Sequence, residues 1–217
     1  MESKPLANPH RSKIDHPYHY SLFMPEQKEV PRLFDLDASS DAAQRFLQSL
    51  GAAWDGSEED HRDRTPRRMA TMFRQMTERE EFNFTTFPAK AQDMVTLGPI
   101  PFYTMCAHHT APFFGNVWIG YVPNASIAGL SKFARAVKYC AKGFHVQEEL
   151  TAQIADFIDK KLDPMGVAVV VKAEHLCMAM RGVQQPGVVT TTSSMLGAFG
   201  DHKRTAKAEF MSLIQGG

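Results

Sequence analysis

The sequence predicts an α+β fold, and three observations carry that prediction. Two β-rich stretches, Met94–Leu97 and Asn116–Val122, precede two helical ones, and two more β-rich stretches follow. This strand–strand–helix–helix–strand–strand order lacks the strict alternation of a parallel α/β sheet. Within it, Val167–Ala173 is an apolar run broken only by Lys172, the mark of a strand covered on both faces. The intervening segments repeat their apolar residues every three or four positions, the period of a helix with one buried side.

Taken in order, residues 1–37 carry Pro5, Pro9, Pro17, Pro25 and Pro31 without any sustained period and read as an extended or partly disordered arm. His10, His16 and His19 in this arm have no matched ligand spacing and read as solvated imidazoles. Ser39 and Ser40 are candidate N-caps for a short helix with Ala43, Phe46, Leu47 and Leu50 on one side, ended by Gly51. The charged stretch Ser57–Arg64 reads as a loop, and Thr65-Pro66 as the cap and first residue of a helix that aligns Met69, Met72, Phe73 and Met76. After the strands at 94–97 and 116–122, Leu130, Phe133, Ala134, Val137 and Ala141 share a helical face, with Cys140 close to it and more simply packing than a ligand. The next helix, about Gln147–Leu162, has Leu150, Ile154, Ile158 and Leu162 at intervals of four and is stopped by Pro164 and Gly166. A strand is expected over Cys177–Gln184, further pairing over Val188–Ser194, and a last helix over about Arg204–Ile214.

The composition excludes several functional classes. Lys plus Arg equals Asp plus Glu at 24 each in 217 residues, so no basic field exists to hold nucleic acid. Three cysteines are too few and too odd in number for a disulfide framework and suit a reducing compartment. The longest strongly apolar run, Gly166–Val171, is far short of the ~20 residues that span a bilayer. The first thirty residues lack the apolar core of a signal peptide. A cytosolic protein with no membrane partner is expected.

Chemistry concentrates in two clusters. Cys106 and His109, at C-x-x-H spacing with His108 between them, can supply two metal ligands from one tight turn. Glu174-His175-Leu176-Cys177 offers a third ligand in Cys177, and three protein ligands with one open position is the pattern of catalytic zinc. His108 and His175, each beside a proposed ligand, are left for proton transfer near neutral pH. Either cluster alone is more simply a packed thiol and a structural imidazole; two in a chain with three cysteines point to a metal.

Four motifs then carry a resemblance. The Cys106-x-His108-His109-x-x-Pro112-Phe113 turn, the Gly129-Leu130-Ser131-Lys132 helix start, the Val146–Thr151 segment and the His175-x-Cys177-x-x-x-Arg181-Gly182 stretch occur in the order seen in GTP cyclohydrolase I, over about Thr65 to Ile214. The resemblance implies a tunnelling fold: an antiparallel sheet with two helices on one face, joined between subunits into a barrel, typically a homodecamer of two pentamers. It divides the chain into the arm at 1–37, an N-terminal helical region at 38–92 and a tunnelling-fold catalytic domain at 93–217.

The implied reaction opens the imidazole ring of GTP, expels formate and recloses the product as 7,8-dihydroneopterin triphosphate. By resemblance, Cys106, His109 and Cys177 hold Zn2+, His108 serves the imidazole ring and His175 the ribose ring oxygen. Glu148, with Gln147 beside it, matches the guanine-reading carboxylate; Lys132, Arg135 and Arg181 match the triphosphate cations, and Ser131 lies near the sugar. Arg68 matches an arginine supplied by a neighbouring subunit. The chain departs from the family pattern at Ala107, usually Glu, at Thr71, usually Lys, and at Gly143 and His145, usually a basic residue and Gln. The alternatives are a tunnelling-fold protein acting on another purine or deazapurine nucleotide, or a nucleotide-binding ring without turnover.

Overall fold

The computed structural model describes residues 34–51, 54, 59–200 and 205–215. They fall into two compact units divided between Glu78 and Arg79. The arm expected over 1–37, His10, His16 and His19 included, lies outside the described residues except for its last four.

The first unit pairs helix α1 (Leu36–Ser49) with α2 (Glu59–Thr77). The α1 cap differs from expectation. Asp35 Oδ1 accepts from the Ala38 amide at 2.9 Å, so the helix starts earlier and Ser39 and Ser40 sit inside it. Aspartate is as good an N-cap as serine, and its carboxylate also suits the positive end of the helix. Ala43 and Leu47 are buried, whereas Phe46 and Leu50 are exposed in this unit, so the buried stripe is narrower than the apolar one. Helix α2 starts at Glu59, which replaces the expected loop up to Arg64 and leaves Pro66 inside the helix. A proline there removes one backbone hydrogen bond; Pro66 and Ala70 are buried, and that packing offsets the loss.

The second unit is built on one sheet. Its strands are β2 (Val95–Cys106), β3 (Pro112–Val122), β5 (Phe144–His145), β6 (Gly166–His175) and β7 (Val189–Gly197), in spatial order β5-β2-β3-β6-β7. All pairings are antiparallel except the two-residue β2–β5 contact. A separate ribbon joins β1 (Thr86–Pro88) to β4 (Ser126–Ala128). Helices α3 (Leu130–Cys140) and α4 (Gln147–Leu162) lie between β4 and β6 in the chain and share one core with the sheet. Phe133, Val137, Leu150, Ile154 and Ile158 meet Val117, Ile119, Val167, Val169 and Val171 in that core, all of them fully buried. Burying each such side chain contributes roughly 1.5–3 kcal/mol. The alternate residues of β6, Ala168 and Val170, pack with Phe199 and with Phe210 and Ile214 of α6 (Ala206–Gln215). Both faces of β6 are therefore covered up to Val171, which is why Val167–Val171 is uninterrupted by polar residues.

Two expectations change here. The strand expected at Cys177–Gln184 is instead a helical turn, α5 (Leu176–Ala179), followed by exposed loop. The free edge of β6 is taken by β7, from Glu174↔Val189 to Gly166↔Gly197, and no sheet edge remains there for residues 177–184. On α3 the buried stripe is Phe133, Ala136, Val137 and Cys140; Leu130 and Ala134 face outward.

Gly115 of β3 lies opposite Ala173 of β6. A Cβ at Gly115 would run into the carbonyl oxygen of Lys172 and come within 2.7 Å of Ala173 Cα. Gly115→Ala is therefore expected to destabilise the protein by roughly 1–3 kcal/mol, the usual range for overpacking, read as a lower urea midpoint. An unchanged midpoint would contradict this strand contact.

Candidate active site

The β2–β3–β6 pairing collects one end of each strand in one place. Cys106 is the last residue of β2, Pro112 the first of β3 and His175 the last of β6, where it pairs with Phe113. The turn between β2 and β3 is closed by backbone bonds from Cys106 N to Ala111 O at 2.8 Å and from Thr110 N to Cys106 O at 2.9 Å. Thr110 takes φ 52°, a left-handed conformation that costs a β-branched residue energy. Its hydroxyl donates to the His109 carbonyl at 2.7 Å, which helps to hold that shape. A third strap is Ala107 N to His145 O at 3.0 Å, across the short β2–β5 contact.

The ligand atoms of Cys106, His109 and Cys177 lie within 4.8 Å of one another, and the two sulfurs are 4.0 Å apart. Two thiolates on one tetrahedral zinc, each at ~2.3 Å, sit about 3.8 Å apart, so the donor set and spacing fit such an ion. Cys106 is buried, Cys177 half-buried and His109 exposed, which gives the cluster an interior side and a solvent side. Burial and the adjacent Cys106 thiol push the Cys177 thiol up; a divalent cation between the sulfurs would reverse that effect. His108 Nδ1 is 4.0 Å from Cys106 Sγ, beside the cluster. Cys140 is buried away in the α3 core, and burial pushes its thiol up to about 12, the state of a packed, unreactive side chain.

His175 is the most constrained imidazole of the site. Its ring stacks on Phe113 at 4.3 Å between centroids and 7° between planes, and its Nε2 is 2.7 Å from Gln147 Oε1. Burial holds it below the usual imidazole range, with the Glu148 carboxylate opposing that shift. Gln147 is 2 % exposed. Its Nε2 reaches Thr190 O at 3.0 Å, Thr192 Oγ1 at 3.1 Å and Val171 O at 3.3 Å. Phe113, Thr151 and Thr192 are supporting residues to which sequence reasoning assigned no role; Phe113 and Thr151 end two of the motifs, and Thr192 left no signal.

The remaining residues are surface groups. Glu148 is exposed in the first turn of α4, and Ser131 and Arg135 are exposed on α3 with Lys132 half-buried. Arg181 is exposed in the loop after α5. Arg68 belongs to the first unit, where it lines a groove along α2 with Arg64, Arg67 and Thr71. Further along α3, Lys138 pairs with Glu80 at 3.3 Å, both well exposed, as a solvated helix face would. No described helix is long and apolar enough to cross a membrane.

Fold and site together define an α+β protein with a Cys/His/Cys cluster at one sheet end that could hold a metal ion. The family model for GTP cyclohydrolase I matches residues 40–215. A GTP cyclohydrolase 1 of Hydrogenobaculum sp. is 43% identical over 185 residues, covering 84% of this chain and 100% of that protein. Those of Brevibacillus brevis and Deinococcus radiodurans are 44% and 40% identical, over 83% and 90% of this chain and 98% and 92% of theirs. The chain belongs to the GTP cyclohydrolase I family. An archaeosine synthase QueF-Like structure in the apo form, at 20% identity and a TM-score of 0.40, covers 50% of this chain and 97% of that one, too distant a likeness to bear on function.

Two predictions follow from this geometry. Cobalt(II) added to metal-free protein should give thiolate-to-cobalt absorption that is cut to about half by Cys106→Ser or Cys177→Ser and survives Cys140→Ser; full absorption in the first two variants would contradict the cluster. His145 is also buried, and that burial lowers its proton affinity against a weaker opposing pull from the Lys142 carbonyl. An unfolded imidazole titrates near ~6.5, so as pH falls the unfolded chain binds its proton first and the native state loses stability. This contribution is intact above about pH 6.5 and is lost below it until the folded value is passed. His145→Gln should flatten the fall in urea midpoint between pH 7 and 5, and a slope identical to that of the parent would refute the assignment.

Proposed function

We propose that the chain opens the imidazole ring of GTP by zinc-dependent hydrolysis, releasing formate and yielding 7,8-dihydroneopterin triphosphate. The single observation that carries this reading is the meeting of Cys106, His109 and Cys177 within 4.8 Å in a chain of this family. Cys106, His109 and Cys177 would hold the zinc. When bound, zinc acts as a Lewis acid that makes water nucleophilic at neutral pH.

The chain's own groups divide the rest of the work. His108, beside the cluster, donates a proton to the imidazole ring as its bond to carbon 8 breaks. His175 moves a proton at the ribose ring oxygen during the rearrangement that follows. Glu148 accepts from the ring N–H and exocyclic amine of guanine, a paired, charge-assisted contact that adenine cannot offer. Its electrostatic influence on His175 supports placing the purine near the cluster. Lys132, Arg135 and Arg181 meet the triphosphate, with Ser131 near the sugar. Arg68 comes from a neighbouring subunit of a homodecamer built as two pentamers. A cytosolic setting suits the three free thiols.

Zinc-loaded protein given GTP should release one formate per pterin formed, identified by mass, and neither product from ATP. Absence of both products with GTP would sink the proposal. His108→Ala should keep its metal while turnover falls on the order of 10²-fold or more, the usual contribution of a positioned proton donor. Zinc loss in that variant would mean that His108 is a ligand.

A further inference from the structure

The hydrogen bonds around Gln147 have one consistent direction. Thr190 O and Val171 O are carbonyls and can only accept, so the amide edge that faces them, at 3.0 and 3.3 Å, must be the NH2 group. The opposite orientation would set Oε1 against two carbonyl oxygens inside a buried site, a repulsive arrangement of three acceptors. Thr151 donates its hydroxyl hydrogen to the Gln147 carbonyl at 2.7 Å, so in the 2.6 Å contact between Thr151 and Thr192 the donor is Thr192. Thr192 is then free to accept from the Gln147 amide at 3.1 Å. The circuit runs from Gln147 Nε2–H to Thr192, from Thr192 to Thr151, and from Thr151 back to the Gln147 backbone.

This direction leaves Gln147 Oε1 facing His175 Nε2 at 2.7 Å. An amide oxygen only accepts, so Nε2 must carry the hydrogen. A neutral imidazole has one N–H, and its remaining lone pair is therefore on Nδ1. Stacking on Phe113 at 4.3 Å and 7° fixes the plane of the same ring. We propose that Gln147 is a positioning residue rather than a substrate contact: it locks His175 as the Nε2–H tautomer, with the lone pair on Nδ1, and fixes the direction in which that nitrogen points. The inference deepens the reading of His175 as a proton-transfer group and rests on it.

Neutron diffraction from deuterium-exchanged crystals of the zinc-loaded protein at pH 8 tests the tautomer directly. Deuterium is expected on Nε2 of His175 and not on Nδ1; deuterium on Nδ1 overturns the proposal. Steady-state kinetics test the consequence. Gln147→Met should lower kcat on the order of 10²-fold with KM for GTP within about twofold and zinc content unchanged, whereas a raised KM at unchanged kcat would return Gln147 to a substrate-contact role. Should that variant not fold, Thr192→Val breaks the circuit more gently; it is expected to lower kcat, with Thr192→Ser restoring it, and equal kcat in both would count against the circuit. Full activity in His175→Ala would remove the catalytic reading of His175 while leaving the neutron result on the tautomer intact, so the two failures are separable.

Discussion

Everything at the site depends on β3 lying between β2 and β6. Cys106 and Cys177 are 71 positions apart in the chain, and nothing local draws them together. The pairing of β3 with both neighbours does so, because strand ends in a common register stop at a common level. The hydrophobic core sets that register. Shifting β6 by one residue would turn Val167, Val169 and Val171 away from α3 and α4 and bring Ala168 and Val170 in their place. Burial of these side chains thus fixes the separation of two sulfurs at the margin of the same core, and the packing of the sheet is a precondition of the chemistry.

On this frame the groups are held with different firmness. The β2–β3 turn is strapped by three backbone bonds, and His175 by a stack and a short hydrogen bond. Glu148, Ser131, Arg135 and Arg181 are exposed. The division fits the chemistry proposed for each. Groups that move protons must be placed within tenths of an ångström, whereas cations that meet a flexible triphosphate can work from mobile side chains. The departures at Gly143 and His145 fall at the strapped end: Thr104 Oγ1 donates to Gly143 O at 3.3 Å and the His145 carbonyl holds Ala107 N. Both positions reach the turn through backbone carbonyls, so the side chains there do not make these contacts.

Much of this was legible in the sequence, and the reasons are local. Helix α4 spans the expected Gln147–Leu162 because four apolar residues at one spacing, flanked by Pro164, admit few other readings. Strand β6 was plain because both of its faces are covered. The misreadings share a cause, which is competition from elsewhere in the fold. Asp35 displaced two plausible serine caps; β7 occupied the edge that residues 177–184 would have needed; and the stripe on α3 turned so that Ala136 replaced Ala134 and Leu130. At the site, two Cys/His clusters in the chain pointed to Cys106, His109 and Cys177, which do meet, but the support of Gln147 by a strand some 45 residues further along follows no periodicity and leaves no mark in the chain.

The edge strand β7 carries an asymmetry with an evolutionary consequence. Thr190, Thr192 and Ser194 are half-buried, while Thr191 and Ser193 are exposed. Thr190 gives only its carbonyl to Gln147, whereas Thr192 gives its hydroxyl. In a run of three consecutive threonines, neutral drift can therefore remodel the first side chain and the second with little effect on the reaction, while purifying selection must fall on the third.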